Sequence, residues 1–399
     1  MFAIMSIKSP WYKTSFQYSP LGTNLKVAVP HDVFSTQRID EGTLLLLENL
    51  PATDPRTILD MGCGYGALGL PIAAKYSNAQ VDMVDRDLLA AHWSQENAQA
   101  NQLSNVRAYG SLGFRDVKSP AYDWILCNVP ARIGNPFIEN FIEKGRALLN
   151  GGGELRVVVI RDLGPVLEEM RDKNNWPLVE VARGPRHAIY SIGAQAGTAA
   201  IAESETLYLR DQVQVGDLLL DRPFDIGGDD QKRVRTGLPV LLDTLPRQDP
   251  DQRLKKILCF RSGYGALPLI ARKKWPNAQI VAVDRDLLGT TFTRQNAEKL
   301  GFGEPMLEIR ERAHFPDAIE KGETYNLILG ELSPSADQFV AQAEMAAIEN
   351  ALASGADALI LCLDKIERDW VKSYRPQGPL GIHKVLNRDG YTVVRFSKP

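Results

Sequence analysis

The run Asp60-Met61-Gly62-Cys63-Gly64-Tyr65-Gly66 sets one carboxylate directly before three alternating glycines. Glycines let a backbone turn sharply and come close to a ligand. Where such a run joins a strand to a helix, the ligand lies at the carboxyl end of the strand, beside the helix N-terminus. Asp85 closes the next apolar run, at the spacing of about twenty residues where a carboxylate accepts from the hydroxyls of a ribose. Asn128-Val129-Pro130 closes a third run, Trp124–Cys127.

Gly64-Tyr65-Gly66-Ala67-Leu68-Gly69 also satisfies the GxGxxG dinucleotide pattern. Asp60 argues against that ligand. A carboxylate at the strand end suits an ammonium group and repels a pyrophosphate. With Asn128 it reads as a site for S-adenosylmethionine (SAM) and a substrate amine. The plainer readings are a tight turn without a ligand, and capping or turn solvation by Asp60 and Asp85. The joint spacing of the two acids around one loop favours the cofactor.

These residues need a frame. A β-branched strand (residues 57–59) enters the glycine turn, and a helix (67–75) leaves it. A strand (80–84), a helix (88–102) and strands near 106–108 and 124–127 follow. A helix from about 136 to 148 and a strand over 154–160 complete the half. Strands alternating with helices of this length predict a largely parallel sheet covered on both faces.

The frame occurs twice. Ile58–Leu68 recurs as Ile257–Leu267, Asn78-Ala79-Gln80 as Asn277-Ala278-Gln279, Val84–Leu89 as Val283–Leu288, and Asn97-Ala98 as Asn296-Ala297, at one constant spacing. Upstream, Gly42–Pro51 matches Thr236–Pro246; downstream, Tyr122–Pro130 matches Tyr325–Ser333. The small and polar stretch Gly193–Glu205 reads as a linker. The fold expected is α/β: two tandem Rossmann-like class I methyltransferase domains over residues 1–195 and 196–399, each a mostly parallel twisted sheet flanked by helices.

The second copy has lost the chemistry. Cys259 replaces the acid, Arg261 the first glycine and Glu331 the asparagine. Arg261 is expected to fill the methionine pocket and repel a sulfonium. Asp284 survives as a structural residue, and this half is not expected to bind SAM.

A chain of 399 residues with 44% hydrophobic and 24% charged residues is ordinary for two globular domains. No stretch approaches the roughly 18 apolar residues that span a bilayer, and the N-terminus does not read as a signal peptide. The four cysteines, Cys63, Cys127, Cys259 and Cys362, form no CxxC pair. No metal site or disulfide framework is expected, and a reducing cytoplasm fits. The net charge of −3 weighs against a large RNA footprint. Three basic clusters remain candidates for phosphate contacts or solvated surface: Lys232, Arg233 and Arg235; Arg253, Lys255 and Lys256; Arg272, Lys273 and Lys274. His187 reads as a surface or packing histidine, Cys63 and Cys127 as buried packing residues, and Tyr65 and Tyr264 as packing.

The motifs DMGCGYG, VDRD and CNVPARIG, with the upstream FSTQRIDEGTLLLLENL, resemble the "small-domain" methyltransferases, especially ribosomal-RNA guanine-N2 methyltransferases of the RsmC/RlmG type. The resemblance implies that Asp60, Gly62 and Gly64 line the methionine end of SAM. Asp85 binds the ribose, Arg86 flanks the adenine and Ser111 lies beside the adenine edge. Asn128, Val129 and Pro130 form the catalytic motif facing the amine. The chain departs from the family twice. Ala131 stands where members carry an aromatic that stacks on the base, with Phe137 as a candidate substitute, and the intact half is the first rather than the second. The function expected is SAM-dependent methylation of an RNA base amine, with rRNA as partner. The alternatives are a protein or small-molecule amine as acceptor, a non-catalytic SAM-binding scaffold, or an NAD-linked oxidoreductase.

Overall fold

The computed structural model describes residues 9–33, 39–130, 133–195, 207–224, 237–247, 249, 252–303, 305–334 and 337–399. The chain divides into two compact units, Met1–Leu209 and Arg210–Pro399. The first runs past the composition break at residue 195 because Tyr208 packs on Phe137, with ring centroids 5.4 Å apart.

In the first unit a hairpin of β1 (Tyr12–Tyr18) and β2 (Leu25–Pro30) leads to α1 (Glu41–Glu48). Then come β3 (Thr57–Met61), α2 (Gly69–Lys75), β4 (Gln80–Asp85), α3 (Leu88–Ala100), β5 (Val106–Gly110) and β6 (Tyr122–Asn128). The unit closes with α4 (Asn135–Ala147), β7 (Leu149–Ile160), α5 (Gly164–Asn174), β8 (Val179–Arg183) and β9 (His187–Gly193). The sheet order is β5-β4-β3-β6-β7-β9-β8. The first five strands are parallel, and β9 runs antiparallel to both its neighbours, β7 and β8. Order reverses between β3 and β4 on one side and β6 on the other, so the carboxyl ends of β3 and β6 meet at the switch point where open α/β sheets bind ligands.

The second unit repeats the plan. Its elements are β10 (Leu209–Val215), β11 (Leu218–Pro223), α6 (Leu238–Leu242), β12 (Lys256–Phe260), α7 (Ala266–Lys274), β13 (Gln279–Asp284) and α8 (Leu287–Lys299). They continue with β14 (Leu307–Glu311), β15 (Tyr325–Glu331), α9 (Gln338–Ala351), β16 (Leu352–Leu363), β17 (Gly381–Arg388) and β18 (Tyr391–Ser397). The order β14-β13-β12-β15-β16-β18-β17 is the same. Two mostly parallel sheets flanked by helices are the architecture the alternating pattern predicts.

Each central strand is apolar because both its faces are covered. Ile58, Leu59, Val81, Met83, Trp124, Ile125 and Leu126 are buried, as are Ile257, Leu258, Ile280, Val281 and Ile328. One helical asparagine per unit ties the hairpin to the glycine loop. The Asn97 amide accepts from the Ala28 N–H and donates to the carbonyls of Ala28 and Tyr65. Asn296 does the same with Asp221 and Tyr264.

Two elements differ from the pattern. The helix after the glycines starts at Gly69 rather than residue 67, because Ala67 and Leu68 are still in the turn. Strand β7 starts at Leu149, through Asn150-Gly151-Gly152-Gly153, which reads as a turn. A Cβ on Gly153 would lie 2.9 Å from the Tyr122 carbonyl, so the glycines let the strand kink against β6 instead of ending it.

Candidate functional site

The glycine loop of the first unit hangs from the end of β4. The N–H groups of Gly62 and Cys63 donate to the Val84 carbonyl at 2.8 and 3.0 Å. Asp85 closes the loop: one oxygen accepts from the Gly64 N–H at 3.0 Å and the other from the Asp87 N–H at 2.9 Å. The Ser94 hydroxyl donates to the Gly64 carbonyl at 2.8 Å. Gly62 and Gly64 have φ of +78° and +57°, and a Cβ at either would meet no atom within 4 Å. That side of the loop is open to a ligand. Gly66 serves packing instead, since its Cβ would lie 2.5 Å from Leu70.

Asp60 lies beneath the loop and is 1% exposed. Its Oδ2 has no hydrogen-bond partner among the described residues. Burial pushes its carboxyl up to about 7; the Gly69 N–H opposes the shift and Asp85 adds to it. A buried acid with an orphaned oxygen is costly unless an ion or donor completes it. It fits an ammonium group, and the open faces of Gly62 and Gly64 fit the chain attached to one. The residues present therefore suit the methionine end of SAM.

Arg86 is half-buried at the start of the next turn. Ser111 is 1% exposed and its N–H donates to the Asp85 carbonyl. The Ser111 hydroxyl donates to the Gly113 carbonyl at 2.7 Å and accepts from the Asp116 N–H at 3.1 Å. Its hydroxyl thus shapes the loop after β5, next to the Asp85 end of β4. Cys63 and Cys127 are buried and burial raises both thiols, so neither is a ready nucleophile.

Asn128 stands at the end of β6. Its amide nitrogen donates to Asp40 Oδ2 at 2.7 Å and to the Thr43 hydroxyl at 3.2 Å. Asp40 caps α1, the same oxygen accepting from the N–H groups of Gly42 and Thr43. Val129 is buried and its N–H donates to the Val158 carbonyl, while Pro130 is exposed. His187, the first residue of β9, also reaches this corner: a Cβ on Gly42 would meet Asp40, His187 and Asn128 at 2.9, 3.1 and 3.3 Å. Sequence reasoning placed His187 among surface and packing residues and gave Asp40 and Thr43 no role. An Asp before Glu-Gly-Thr and four leucines is an N-cap signal that locates Asp40; no local signal brings His187 here, because it arrives through sheet pairing. Ala131 lies outside the described residues. Phe137 belongs to an aromatic row with Phe141 and Tyr208, at 6.0 and 5.4 Å.

In the second unit the loop survives while the residues expected to hold a cofactor are replaced. Gly263 donates to Asp284 at 2.7 Å and the Thr293 hydroxyl to the Gly263 carbonyl at 2.9 Å, matching Gly64, Asp85 and Ser94. Asp284 thus has a structural task that needs no ligand. Cys259 removes the buried charge, and Phe260 stacks on Phe315 at 4.1 Å. Arg261 lines the remaining hollow with Leu238, Ser262 and Glu331. Its guanidinium is held by Glu344 at 2.8 and 3.0 Å. Glu344 is buried, so the cation expected to repel a sulfonium is neutralised, and Arg261 lines the hollow rather than filling it.

Three residues of the basic clusters make local contacts. Lys256 pairs with Glu323 and Lys273 with Asp217, while Arg272 donates to the Pro276 carbonyl. Lys232, Arg233 and Arg235 lie outside the described residues. Among the described residues no cluster of three metal-ligating side chains occurs, and no helix is long and apolar enough to cross a membrane.

The description of the methyltransferase small domain family matches residues 24–175, all within the first unit. The chain is 34% identical over 148 residues to the uncharacterized protein YbxB of Bacillus subtilis, covering 35% of this chain and 74% of that protein. It is 36% identical over 135 residues to ribosomal RNA small subunit methyltransferase C of Hahella chejuensis, covering 33% of this chain and only 39% of that protein. In fold it is similar to the Thermus thermophilus 16S rRNA N2 G1207 methyltransferase, solved with AdoMet and guanosine. The TM-score is 0.66 at 16% identity, over 98% of this chain and 99% of that one.

Proposed function

The chain belongs to the methyltransferase small domain family, and from that premise we propose that its first unit uses SAM to methylate an exocyclic amine of an RNA base, the N2 of a ribosomal guanine. The observation that carries the reading is the buried, unpartnered Asp60 Oδ2 beneath an open glycine loop, at the switch point that also ends in Asn128. The second unit keeps the loop and the strand order but carries Cys259, Arg261 and Glu331 in place of Asp60, Gly62 and Asn128, and on this reading it holds no cofactor.

When bound, SAM supplies an already activated methyl group. The chain's work is binding and orientation. Asp60 accepts from the ammonium group, while Gly62 and Gly64 let the methionine chain lie on the loop. Asp85 receives the ribose hydroxyls, Arg86 flanks the adenine, and Ser111 holds the loop beside it. Asn128 Oδ1 and the Val129 carbonyl accept the two N–H bonds of the amine and turn its lone pair toward the methyl group; Pro130 stiffens the turn. Holding two reactants in line contributes much of such a rate.

A second reading is a non-catalytic protein that keeps the fold and the cofactor. Ala131, standing where the family carries a stacking aromatic, favours it, because stacking on a base is worth about 1–3 kcal/mol. Incubation with methyl-tritiated SAM and deproteinised 16S and 23S rRNA, followed by nucleoside mass spectrometry, separates the two. N2-methylguanosine supports the enzyme. SAM binding without transfer to RNA, protein or small amines moves the assignment to the scaffold.

A further inference from the structure

We propose that Asp40 is a positioning residue: its carboxylate, with the Thr43 hydroxyl, fixes which way the Asn128 amide faces. The inference rests on the reading of Asn128 as the acceptor of the substrate amine.

A side-chain amide has a donor end and an acceptor end of nearly the same shape, and only its partners decide which end points where. An asparagine facing the wrong way would offer an NH2 group to a substrate NH2, and the two would repel. In this chain the choice is made by chemistry. An ionised carboxylate only accepts, and Asp40 Oδ2 lies 2.7 Å from one end of the Asn128 amide. That end must be the nitrogen. Asn128 Oδ1 is left directed away from Asp40, and it accepts no hydrogen bond from the described residues. The carboxylate is itself held, because the same oxygen accepts from the Gly42 and Thr43 N–H groups at 2.8 and 3.2 Å. The first turn of α1 and the tip of β6 are thereby one network.

The duplicated half gives an independent observation. Counted from the matching glycines Gly42 and Gly237, the residue equivalent to Asp40 is Arg235 and that equivalent to Thr43 is Leu238. Asn128 corresponds to Glu331. Both acceptors and the donor are replaced together, in the half that has lost its cofactor acid. A residue needed only to cap the helix would have no reason to change in step with the asparagine.

The test uses the full chain and two substitutions. Asp40→Ser keeps an N-cap oxygen but does not reach Asn128. Asp40→Asn keeps both the cap and an acceptor at the Oδ2 position. In protein labelled with 15N-asparagine, the Asn128 side-chain signal is identified by its loss in Asn128→Ala. It is expected to shift in Asp40→Ser and to stay near its wild-type position in Asp40→Asn. With 16S and 23S rRNA as acceptors, Asp40→Ser is expected to lower kcat by about tenfold to a hundredfold with unchanged SAM affinity and melting temperature, and Asp40→Asn to recover most of the rate. An unmoved amide signal, or a wild-type kcat in Asp40→Ser, overturns the proposal. A shifted signal in a protein whose wild type transfers no methyl group upholds the anchoring and overturns the enzymatic reading alone.

Discussion

Gly62 and Arg261 occupy the same point in the two glycine loops, and both have positive φ, +78° and +51°. The duplicated loop kept its left-handed turn while the residue able to make it without strain was lost. A left-handed non-glycine residue costs roughly 1–2 kcal/mol. Arg261 offsets that by pairing with Glu344, which is 1% exposed. Removing one partner of a buried pair costs about 3–5 kcal/mol, less here because the arginine side chain is 20% exposed. The expected outcome for Arg261→Gly is a net loss of about 1–3 kcal/mol, and no second SAM equivalent. Urea denaturation and calorimetric titration check both parts; a gain in stability would show that strain outweighs the ion pair.

The reciprocal change, Gly62→Arg, lacks the compensating acid. Phe141 stands where Glu344 stands in the second unit, at the same distance along the chain from the end of the preceding strand. A Cβ at Gly62 meets nothing within 4 Å, so the unit still folds, at roughly the 1–2 kcal/mol cost of left-handed strain. The guanidinium then lies in the open face of the loop. Calorimetry on the wild type is expected to give one SAM per chain, and on Gly62→Arg none. Two SAM per wild-type chain would refute the assignment of a single site.

Asp60 is expected to make SAM affinity depend on pH. Its carboxyl is raised from an ordinary 3.8 to about 7, chiefly by burial, so the folded protein holds the proton more tightly than the unfolded chain. The stability Asp60 contributes is fully present below about 4 and is lost as pH rises through about 7. Without ligand, the wild type should therefore lose stability relative to Asp60→Asn between those pH values. Binding an ammonium group requires the carboxylate. Affinity is then expected to rise about tenfold per pH unit up to about 7 and to level off above it, with a proton released on binding at pH 6. Calorimetry in buffers of different ionisation enthalpy measures that proton. A pH-independent affinity between 5 and 8 would remove Asp60 from the ammonium site.

The repeat and the alternation of elements were legible in the sequence, because each depends on residue type at a fixed spacing. The glycine loop is an example: Asp60, Gly62, Gly64 and Asp85 act through neighbours close in the chain or one strand away. The corner around Asn128 was not legible. Asp40 reaches Asn128 from a helix far upstream, and His187 reaches it through the antiparallel pairing of β9 with β7, opposite Ile160. Neither pairing leaves a mark in local periodicity. Asp85 shows the opposite limit. Its spacing indicates a ribose ligand, yet Asp284 makes the same loop contacts in the half whose other cofactor residues are replaced, so an acid there serves the turn in its own right.

The two asparagines that tie hairpin to glycine loop should matter equally. Asn97 is 0% and Asn296 1% exposed, and each makes three backbone hydrogen bonds. Truncation to alanine leaves buried donors and acceptors unpaired, at about 1–3 kcal/mol per group. We expect each variant to lose roughly 3 kcal/mol. For domains of this size that lowers Tm by about 6–12 °C. Asn296→Ala is further expected to leave SAM affinity unchanged. A Tm shift in only one of the two, measured calorimetrically, would break the equivalence of the units.

Gly42 and Gly237 give the sharpest contrast between catalysis and stability. Both let a side chain from the last-numbered half of the sheet approach the helix at the switch point. At Gly42 an added methyl group would crowd Asp40 Oδ2, His187 Cδ2 and Asn128 Nδ2 at 2.9, 3.1 and 3.3 Å. These are ends of side chains, which give way more easily than backbone, and alanine gains about 0.5–1 kcal/mol over glycine in a helix. Gly42→Ala should therefore keep its Tm while methyl transfer falls, because the Asn128 amide is pushed from its anchor. At Gly237 the methyl group would meet the Tyr391 ring at 2.9 Å and Leu361 at 3.0 Å. Both belong to the packed core, where overpacking costs about 1–3 kcal/mol. Gly237→Ala should lower Tm and leave SAM binding intact. If Gly42→Ala retains full transfer activity, the crowding at this corner has no bearing on the orientation of Asn128.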